Sequence, residues 1–151
     1  VAYGAFPVNK DNISVAVPND FDEDGDLDLF IGARCVSGEY GLIPQSHIYI
    51  NDGKGNFKDM PEDKCTGIID AGMVTGAVWT NMDDDKSPEL IIAGEWMTPK
   101  IFKYKDNSFA ELKTNLDDKI GWWQTVAFAD LNRDGRQDLE KMESVHRIKI
   151  P

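Results

Sequence analysis

Short apolar segments separated by polar, glycine-rich stretches recur along the whole chain. Residues 13–17, 76–80 and 125–129 are apolar, and each segment leads directly into an acidic stretch. Two further apolar runs, 27–31 and 90–93, follow the first two acidic stretches. Runs of four to eight residues bounded by Gly, Asp and Asn are typical of β-strands, since helices are usually longer. The pattern therefore predicts an all-β chain.

A hairpin signature follows the second strand of each of the first two units. Residues 47–57 are predicted to form a strand, a Gly-rich turn and a second strand, and residues 101–109 are their counterpart with a shorter turn. Each full unit is therefore expected to be four short antiparallel strands. The polar, Gly-rich insert 34–45 makes the first unit longer, and it is a candidate surface loop for partner contact.

Three acidic loops, 20–28, 81–89 and 130–138, place an oxygen-bearing side chain at positions 1, 3, 5 and 9. Two unit charges ~4 Å apart repel by about 1 kcal/mol in water and by about four times as much at an effective dielectric constant of 20. A hard divalent cation turns that repulsion into attraction, and calcium takes six to eight oxygen ligands. Single acidic turns are usually just solvated, but a ligand register shared by three loops favours calcium binding.

The predicted loops curl around the ion, and glycine at position 6 (Gly25 and Gly135) permits the positive φ that such a curl needs. Position 7 is expected to contribute its backbone carbonyl, which explains the arginine in the third loop. The predicted calcium ligands are Asp20, Asp22, Asp24, Asp26 and Asp28 in the first loop, Asn81, Asp83, Asp85, Ser87 and Glu89 in the second, and Asp130, Asn132, Asp134, Arg136 and Asp138 in the third.

The second loop is expected to bind most weakly, because Lys86 stands where the other loops have glycine. Replacing Lys86 with glycine should strengthen that site. These loops are not EF-hands, which need a bidentate Glu at position 12 and flanking helices. Position 12 is Ile31 in the first loop and Lys141 in the third.

Composition indicates which classes of partner and which cellular location to expect. The net charge is −11, from 27 acidic and 16 basic residues, and no basic stripe is present to neutralise phosphates, so a nucleic-acid partner is not expected. No apolar run approaches the ~18–20 residues that span a membrane. Cys35 and Cys65 can form one disulfide or remain as separate thiols. Calcium loops of modest affinity suit a calcium-rich compartment, which favours an extracellular, cell-surface or periplasmic location.

The chain resembles the FG-GAP or VCBS repeats that form the blades of integrin α-subunit-like β-propellers. The resemblance rests on the loops 20–28 and 130–138, on Ile-Tyr-Ile-Asn-Asp-Gly-Lys-Gly-Asn-Phe at 48–57, and on the segments 72–79 and 121–130, which are similar to a secreted bacterial branch related to cartilage acidic protein. It implies four-stranded antiparallel blades with one calcium each and a seven-bladed parent.

Residues 1–151 are predicted to form a single repeat region of about two and a half blades, with units at about 11–70, 72–118 and an incomplete 121–151. Propellers need about four to eight blades, so we expect a fragment of a larger propeller. The fragment should have an unpaired strand edge and apolar outer faces, which carry Val15, Val17, Val126 and Phe128. We therefore expect it to self-associate or to exchange its tail 145–150 with a partner chain. A clean monomer of 16.9 kDa by light scattering would contradict this expectation.

Three functions are compatible with this sequence. The first is a non-catalytic, calcium-binding propeller module for extracellular protein or carbohydrate binding or adhesion. The second is the calcium-dependent scaffold of a secreted carbohydrate-active enzyme such as a polysaccharide lyase, and the third is a purely structural fragment. Neither histidine, His47 or His146, stands in a metal-binding spacing or near a convincing nucleophile, so no catalytic residue is assigned.

The four tryptophans are candidates for a sugar-stacking platform. Trp79 occupies a strand position held by phenylalanine in the next unit, so a core position is expected for it. Trp122 and Trp123 are neighbours and should face opposite sides of their strand.

Overall fold

Two antiparallel sheets, each built on a four-stranded meander, make up most of the computed structural model, which describes residues 4–82, 85, 87–129, 133 and 138–140. In the first sheet the strands are adjacent in chain order: β1 (Asn12–Asn19), β2 (Asp28–Cys35), β3 (His47–Asn51) and β4 (Phe57–Asp59). The second sheet repeats this order with β5 (Met73–Thr80), β6 (Glu89–Met97), β7 (Lys100–Lys105) and β8 (Ser108–Leu112). Both have the meander topology of propeller blades, as predicted.

Three short strands follow: β9 (Gly121–Trp122), β10 (Ala127–Ala129) and β11 (Asp138–Glu140). β10 and β11 pair with each other, whereas β9 joins the second sheet by pairing with β6. The predicted third unit thus begins with a strand that pairs with an interior strand of the second sheet. A 3-10 helix, Glu62–Lys64, follows β4. The described residues include no helix long and apolar enough to cross a membrane.

The insert of the first unit begins later than the sequence indicates. β2 continues to Cys35, because β1 extends back to Asn12 and the two residues pair. Arg34 and Cys35 therefore belong to a strand. Both cysteines are free thiols, Cys65 buried and Cys35 half-buried.

A single hydrophobic core joins the two sheets, because β5 packs against β1 and β2. Phe30 from the first sheet and Leu90 and Phe102 from the second are completely buried within it. Each such side chain contributes roughly 1.5–3 kcal/mol by leaving water. Val15 and Val17 also pack against this core, so the expectation that they form an open outer face is wrong. The sheet that follows them covers them.

The tryptophans lie where the alternation of strand residues predicts. Trp79 packs against the core and stacks on Phe21, with ring centroids 5.8 Å apart. Trp123 is buried and donates from its indole nitrogen to the carbonyl of Met97 at 2.9 Å. Its neighbour Trp122 is 45% exposed. The two residues therefore have opposite environments, as expected from their strand.

Candidate metal centre

The first acidic loop joins β1 to β2 and is held in a tight curl by its own carboxylates. The amide of Gly25 donates to Asp20 Oδ2 at 3.1 Å, and the amide of Asp26 donates to Asp24 Oδ1 at 3.0 Å. The curl needs the left-handed backbone of Gly25, whose φ is 96°, and of Glu23, whose φ is 61°. Glycine adopts such angles without steric cost, so the predicted reason for Gly25 is confirmed.

Three carboxylates of this loop converge. Asp20, Asp22 and Asp24 each bring an oxygen atom within 4.8 Å of the others. Burial, followed by the charge of Asp24, raises the pKa of Asp22. Asp20 Oδ1 is buried and has no hydrogen-bond partner. A cluster of carboxylates with a spare buried oxygen fits a divalent cation, which would satisfy both the charge and the missing contact.

Asp28, the ninth residue of the loop, is the most unusual carboxylate of the site. It is completely buried at the start of β2. Its Oδ1 accepts the amide of Asn51 at 2.8 Å, but its Oδ2 has no hydrogen-bond partner. Burial, with the charges of Asp22, Asp24 and Asp20, raises its pKa to about 6 despite that hydrogen bond. A buried carboxylate without a counter-charge is strongly unfavourable, so a cation beside Asp28 would remove a large cost.

The hairpin between β3 and β4 supports the first loop from outside, a contribution that the sequence reasoning missed. Asn51 Nδ2 donates to the carbonyl of Leu27 at 3.1 Å. Asp26 turns its side chain toward this hairpin, so closely that a Cβ at Gly53 would lie 2.5 Å from Asp26 Oδ2. The Asp26 carboxylate is therefore not one of the three that converge, and the predicted role of its backbone carbonyl stays a prediction.

The turn of this hairpin is locked by Asp52. Its carboxylate accepts the amides of Lys54 at 2.9 Å and Asn56 at 3.1 Å and the side chain of Asn56 at 2.8 Å. These hydrogen bonds, led by that of the Asn56 side chain, lower the pKa of Asp52 to about 2. The Asn-Asp-Gly sequence at 51–53, typical of a turn, was the signal that could have identified this support.

A cation from β7 contacts the carboxylates of the second loop. Lys103 Nζ lies 2.7 Å from Glu89 Oε1 and 2.6 Å from Asp85 Oδ2. Glu89 is completely buried at the start of β6, the place that Asp28 occupies at the start of β2. Its other oxygen accepts the amide of Met82 at 2.8 Å. The structure thus brings Asp85 and Glu89 together, as predicted, but around an ammonium group.

Two other predicted ligands of the second loop donate hydrogen bonds to Asp85. Ser87 donates its amide to Asp85 Oδ1 at 2.8 Å, and Asn81 donates its side-chain amide to the carbonyl of Asp85. Asp83 lies outside the described residues, as does Lys86.

Most of the third loop also lies outside the described residues, namely Asp130, Asn132, Asp134, Gly135 and Arg136. Asp138 opens β11 opposite Ala129, so its backbone occupies the predicted strand position. Arg133, at position 4, has a φ of 59°, close to the 61° of Glu23 at the same position of the first loop. The first and third loops therefore share one backbone feature at this position.

The end of β2 and the insert that follows it both contact Glu95 of the second sheet, which the sequence reasoning did not foresee. Glu95 is 1% exposed. Arg34 Nη2 lies 2.5 Å from its Oε1, and the Tyr40 hydroxyl donates to its Oε2 at 2.6 Å. The hydrogen bond to Glu95 raises the pKa of Tyr40.

Next to this contact, two tryptophans are exposed on the surface. Trp96 is 64% exposed and Trp122 45%, and their ring centroids are 5.1 Å apart. Trp96 has a φ of 58°, a backbone conformation that costs of order 1–3 kcal/mol for a residue with a side chain. A cleft of about 460 Å³ beside Trp96 is also lined by Ile43 and Ile120, both exposed. The apolar surface here is available to a partner.

A second small pocket brings together His47, Asp59 and Cys65. His47 Nδ1 lies 2.7 Å from Asp59 Oδ1. Burial raises the pKa of the Cys65 thiol to about 11, and its sulfur is directed at the carbonyls of Met60 and Pro61. A catalytic thiol needs a lowered pKa, so this pocket lacks an activated nucleophile.

Comparison with known families agrees with the architecture. Residues 81–139 match the FG-GAP-like repeat family, which is less than half of the chain and runs from the second loop through the third. No curated protein matches the chain. The first loop, with the fullest set of carboxylates, lies outside the matched segment.

Proposed function

We propose that this chain, whose residues 81–139 match the FG-GAP-like repeat family, is a calcium-stabilised β-propeller repeat module that binds a protein or glycan outside the cell. The observation that carries the calcium proposal is Asp28, whose buried Oδ2 has no partner and whose pKa is raised to about 6. Asp20, Asp22 and Asp24 would hold the ion with it.

The donor set favours calcium over magnesium. The side chains of the first loop offer only carboxylate oxygens, and those of Asp20, Asp22 and Asp24 come from a loop rather than from a strand. Calcium accepts six to eight oxygens in flexible geometry, whereas magnesium demands a near-ideal octahedron and keeps several waters. Bound calcium would supply the counter-charge that the loop lacks and would fix β1 to β2. Millimolar calcium outside cells supports an extracellular, cell-surface or periplasmic location.

The exposed aromatic surface supports the binding part of the proposal. Trp96, Trp122 and Tyr40 provide large, rigid and amphipathic contact area, the kind that dominates protein interfaces. The left-handed backbone of Trp96 is a local strain of the type found at functional positions. A glycan-array screen of the whole chain, repeated with Trp122→Ala, tests the glycan ligand, and retained binding in the variant would remove this surface from the proposal.

A non-catalytic role is also part of the proposal. The carboxylates of the first loop are accounted for as metal ligands, and the His47 pocket contains a thiol that its surroundings keep protonated. Turnover of uronate oligosaccharides by the purified chain, with and without calcium, tests the alternative that it is the scaffold of a polysaccharide lyase. Calcium-dependent turnover would replace our proposal with that alternative.

Calorimetric titration with calcium tests the metal site directly. The whole chain should bind calcium, and Asp24→Ala should remove one binding site. Asp118→Ala is the matched control, because Asp118 is an exposed carboxylate whose partner is the adjacent Lys119. Equal stoichiometry in Asp24→Ala and Asp118→Ala would show that the first loop is not a calcium site.

A further inference from the structure

The strand registers of the first and second sheets show which of their residues occupy equivalent positions. Leu29 of β2 pairs with Tyr49 of β3, and Leu90 of β6 pairs with Phe102 of β7. Continuing each register by one residue toward the loop places Ile50 opposite Asp28 and Lys103 opposite Glu89. Residues opposite each other on antiparallel strands point to the same face. The last carboxylate of each loop therefore has one neighbour across the sheet, isoleucine in the first and lysine in the second.

This neighbour determines the charge beside the buried carboxylate. Ile50 is an apolar residue packed against the core, and Asp28 is left with an unpartnered oxygen. The side chain of Lys103 is only 16% exposed, and its ammonium group contacts both Glu89, 0% exposed, and Asp85. A compact cation with three donors thus lies among the loop carboxylates.

We propose that the Lys103 ammonium group takes the place of a metal ion in the second loop, so that this blade forms its loop without calcium while the first blade depends on it. The contrast with the first blade rests on the proposed function, but the role of Lys103 can be tested in the absence of any metal. The proposal makes Lys103 the residue that determines which blade of this chain responds to calcium.

An alternative is that Lys103 forms an ordinary ion pair and calcium still binds beside it. The geometry argues against this alternative. Lys103 Nζ lies within 2.7 Å of oxygens from both Asp85 and Glu89, which are positions 5 and 9 of the ligand register. A calcium ion bound to the same two carboxylates would lie close to the ammonium group, and the two cations would repel each other strongly in this partly buried site.

The decisive experiment replaces Lys103 with methionine in the whole chain and measures melting temperature in chelator and in calcium. Removing one partner of a buried ion pair should lower the melting temperature in chelator by about 6–20 °C. Calcium should then restore it, because no ammonium group would compete with the ion for the carboxylates of Glu89 and Asp85, and calorimetry should count one calcium site more than in the wild type. Lys100→Met is the matched control on the same strand, because Lys100 pairs with Glu111 at 3.6 Å, away from the loop.

Two results would overturn the proposal. If Lys103→Met melts in chelator no lower than Lys100→Met, Lys103 does not hold the loop together. If Lys103→Met is destabilised but calcium neither restores it nor adds a site, Lys103 is a buried ion-pair partner that does not stand in for a metal. Failure of the calcium proposal for the first loop gives a different result, namely identical stoichiometry in the wild type and in Asp24→Ala.

The reciprocal change gives a second test that does not depend on Lys103→Met folding. Ile50→Lys places an ammonium group opposite Asp28, and Ile50→Met is its control of similar shape. Ile50→Lys should lose one calcium site and should show a smaller fall in melting temperature than the wild type when chelator is added, whereas Ile50→Met should keep both the site and the full calcium response. An unchanged calcium stoichiometry in a folded Ile50→Lys variant would contradict the proposal.

Discussion

The first and second acidic loops join equivalent strands in their sheets, and each ends in a completely buried carboxylate. In the second loop that carboxylate, Glu89, contacts the ammonium group of Lys103 and the amide of Met82. In the first, Asp28 has an amide on one oxygen and nothing on the other. At the same loop position, the chain therefore supplies a cation in one blade, whereas in the other a buried carboxylate oxygen has no hydrogen-bond partner among the described residues.

If calcium binds the first loop as we propose, a repeat can keep its loop and its buried acid while exchanging the source of positive charge. A metal ion stabilises the loop only where calcium is present, whereas a lysine does so everywhere. Within one chain, the two solutions should make neighbouring blades respond differently to calcium. The predictions that follow test this difference, in order of decreasing expected effect.

The largest effect should come from removing Glu89. Glu89→Ala leaves Lys103 without its buried partner and leaves the amide of Met82 without an acceptor. Breaking a buried ion pair in this way typically costs about 3–5 kcal/mol. Urea unfolding should show this loss equally in calcium and in chelator. A loss that appeared only in calcium would mean that Glu89 is a metal ligand in the wild type.

Calcium itself should have the next largest effect. A cation that binds only the folded chain adds about 2.7 kcal/mol per site at a hundredfold excess over its Kd, or about 5–10 °C in melting temperature for a chain of this size. Asp24→Ala should remove the contribution of the first loop to this shift, whereas Asp85→Ala should keep it. Differential scanning calorimetry of the three proteins with and without chelator makes the comparison, and superimposable wild-type curves would refute calcium binding.

Asp28 should show an effect whose sign depends on calcium and on pH. In chelator at pH 7.5, Asp28→Asn should stabilise the chain by roughly 1–3 kcal/mol, since a pKa raised from 3.8 to about 6 is an unfavourable interaction of the charged form. Asparagine keeps an acceptor for Asn51. In calcium, the same variant should be less stable than the wild type because a ligand is lost.

The pH dependence follows from the raised folded-state pKa. Between pH 3.8 and about 6 the folded chain binds the proton of Asp28 more tightly than the unfolded chain, so this contribution to stability is present at low pH and is lost as the pH rises through 6. The advantage of Asp28→Asn in chelator should therefore disappear near pH 4. A difference in unfolding free energy that stays constant from pH 4 to pH 8 would exclude Asp28 as its source.

The strands and the loops could be predicted from the sequence because both are local patterns. Apolar runs bounded by Gly and Asp, together with two hairpin signatures, identify the strands of the first two units, and the opposite environments of Trp122 and Trp123 follow from simple alternation. The role of Lys103 could not be predicted from composition, because lysines are usually exposed. It depends on the register between β6 and β7, which places Lys103 opposite Glu89. That register is known only once the two strands and the turn between them have been located. The contact of Arg34 and Tyr40 with Glu95 joins two different sheets, and no local pattern reports it.

The smallest effect should come from Lys86→Gly, and it separates the sequence argument from the structural one. By the loop pattern alone, this change restores the turn glycine and should strengthen calcium binding in the second loop. With Lys103 in contact with Asp85 and Glu89, we expect no additional calcium site. The site should appear in Lys103→Met and become tighter in the double variant Lys86→Gly/Lys103→Met. Calorimetric stoichiometry of the three variants decides the matter. A new site in Lys86→Gly alone would show that the turn residue, rather than the internal cation, keeps calcium out.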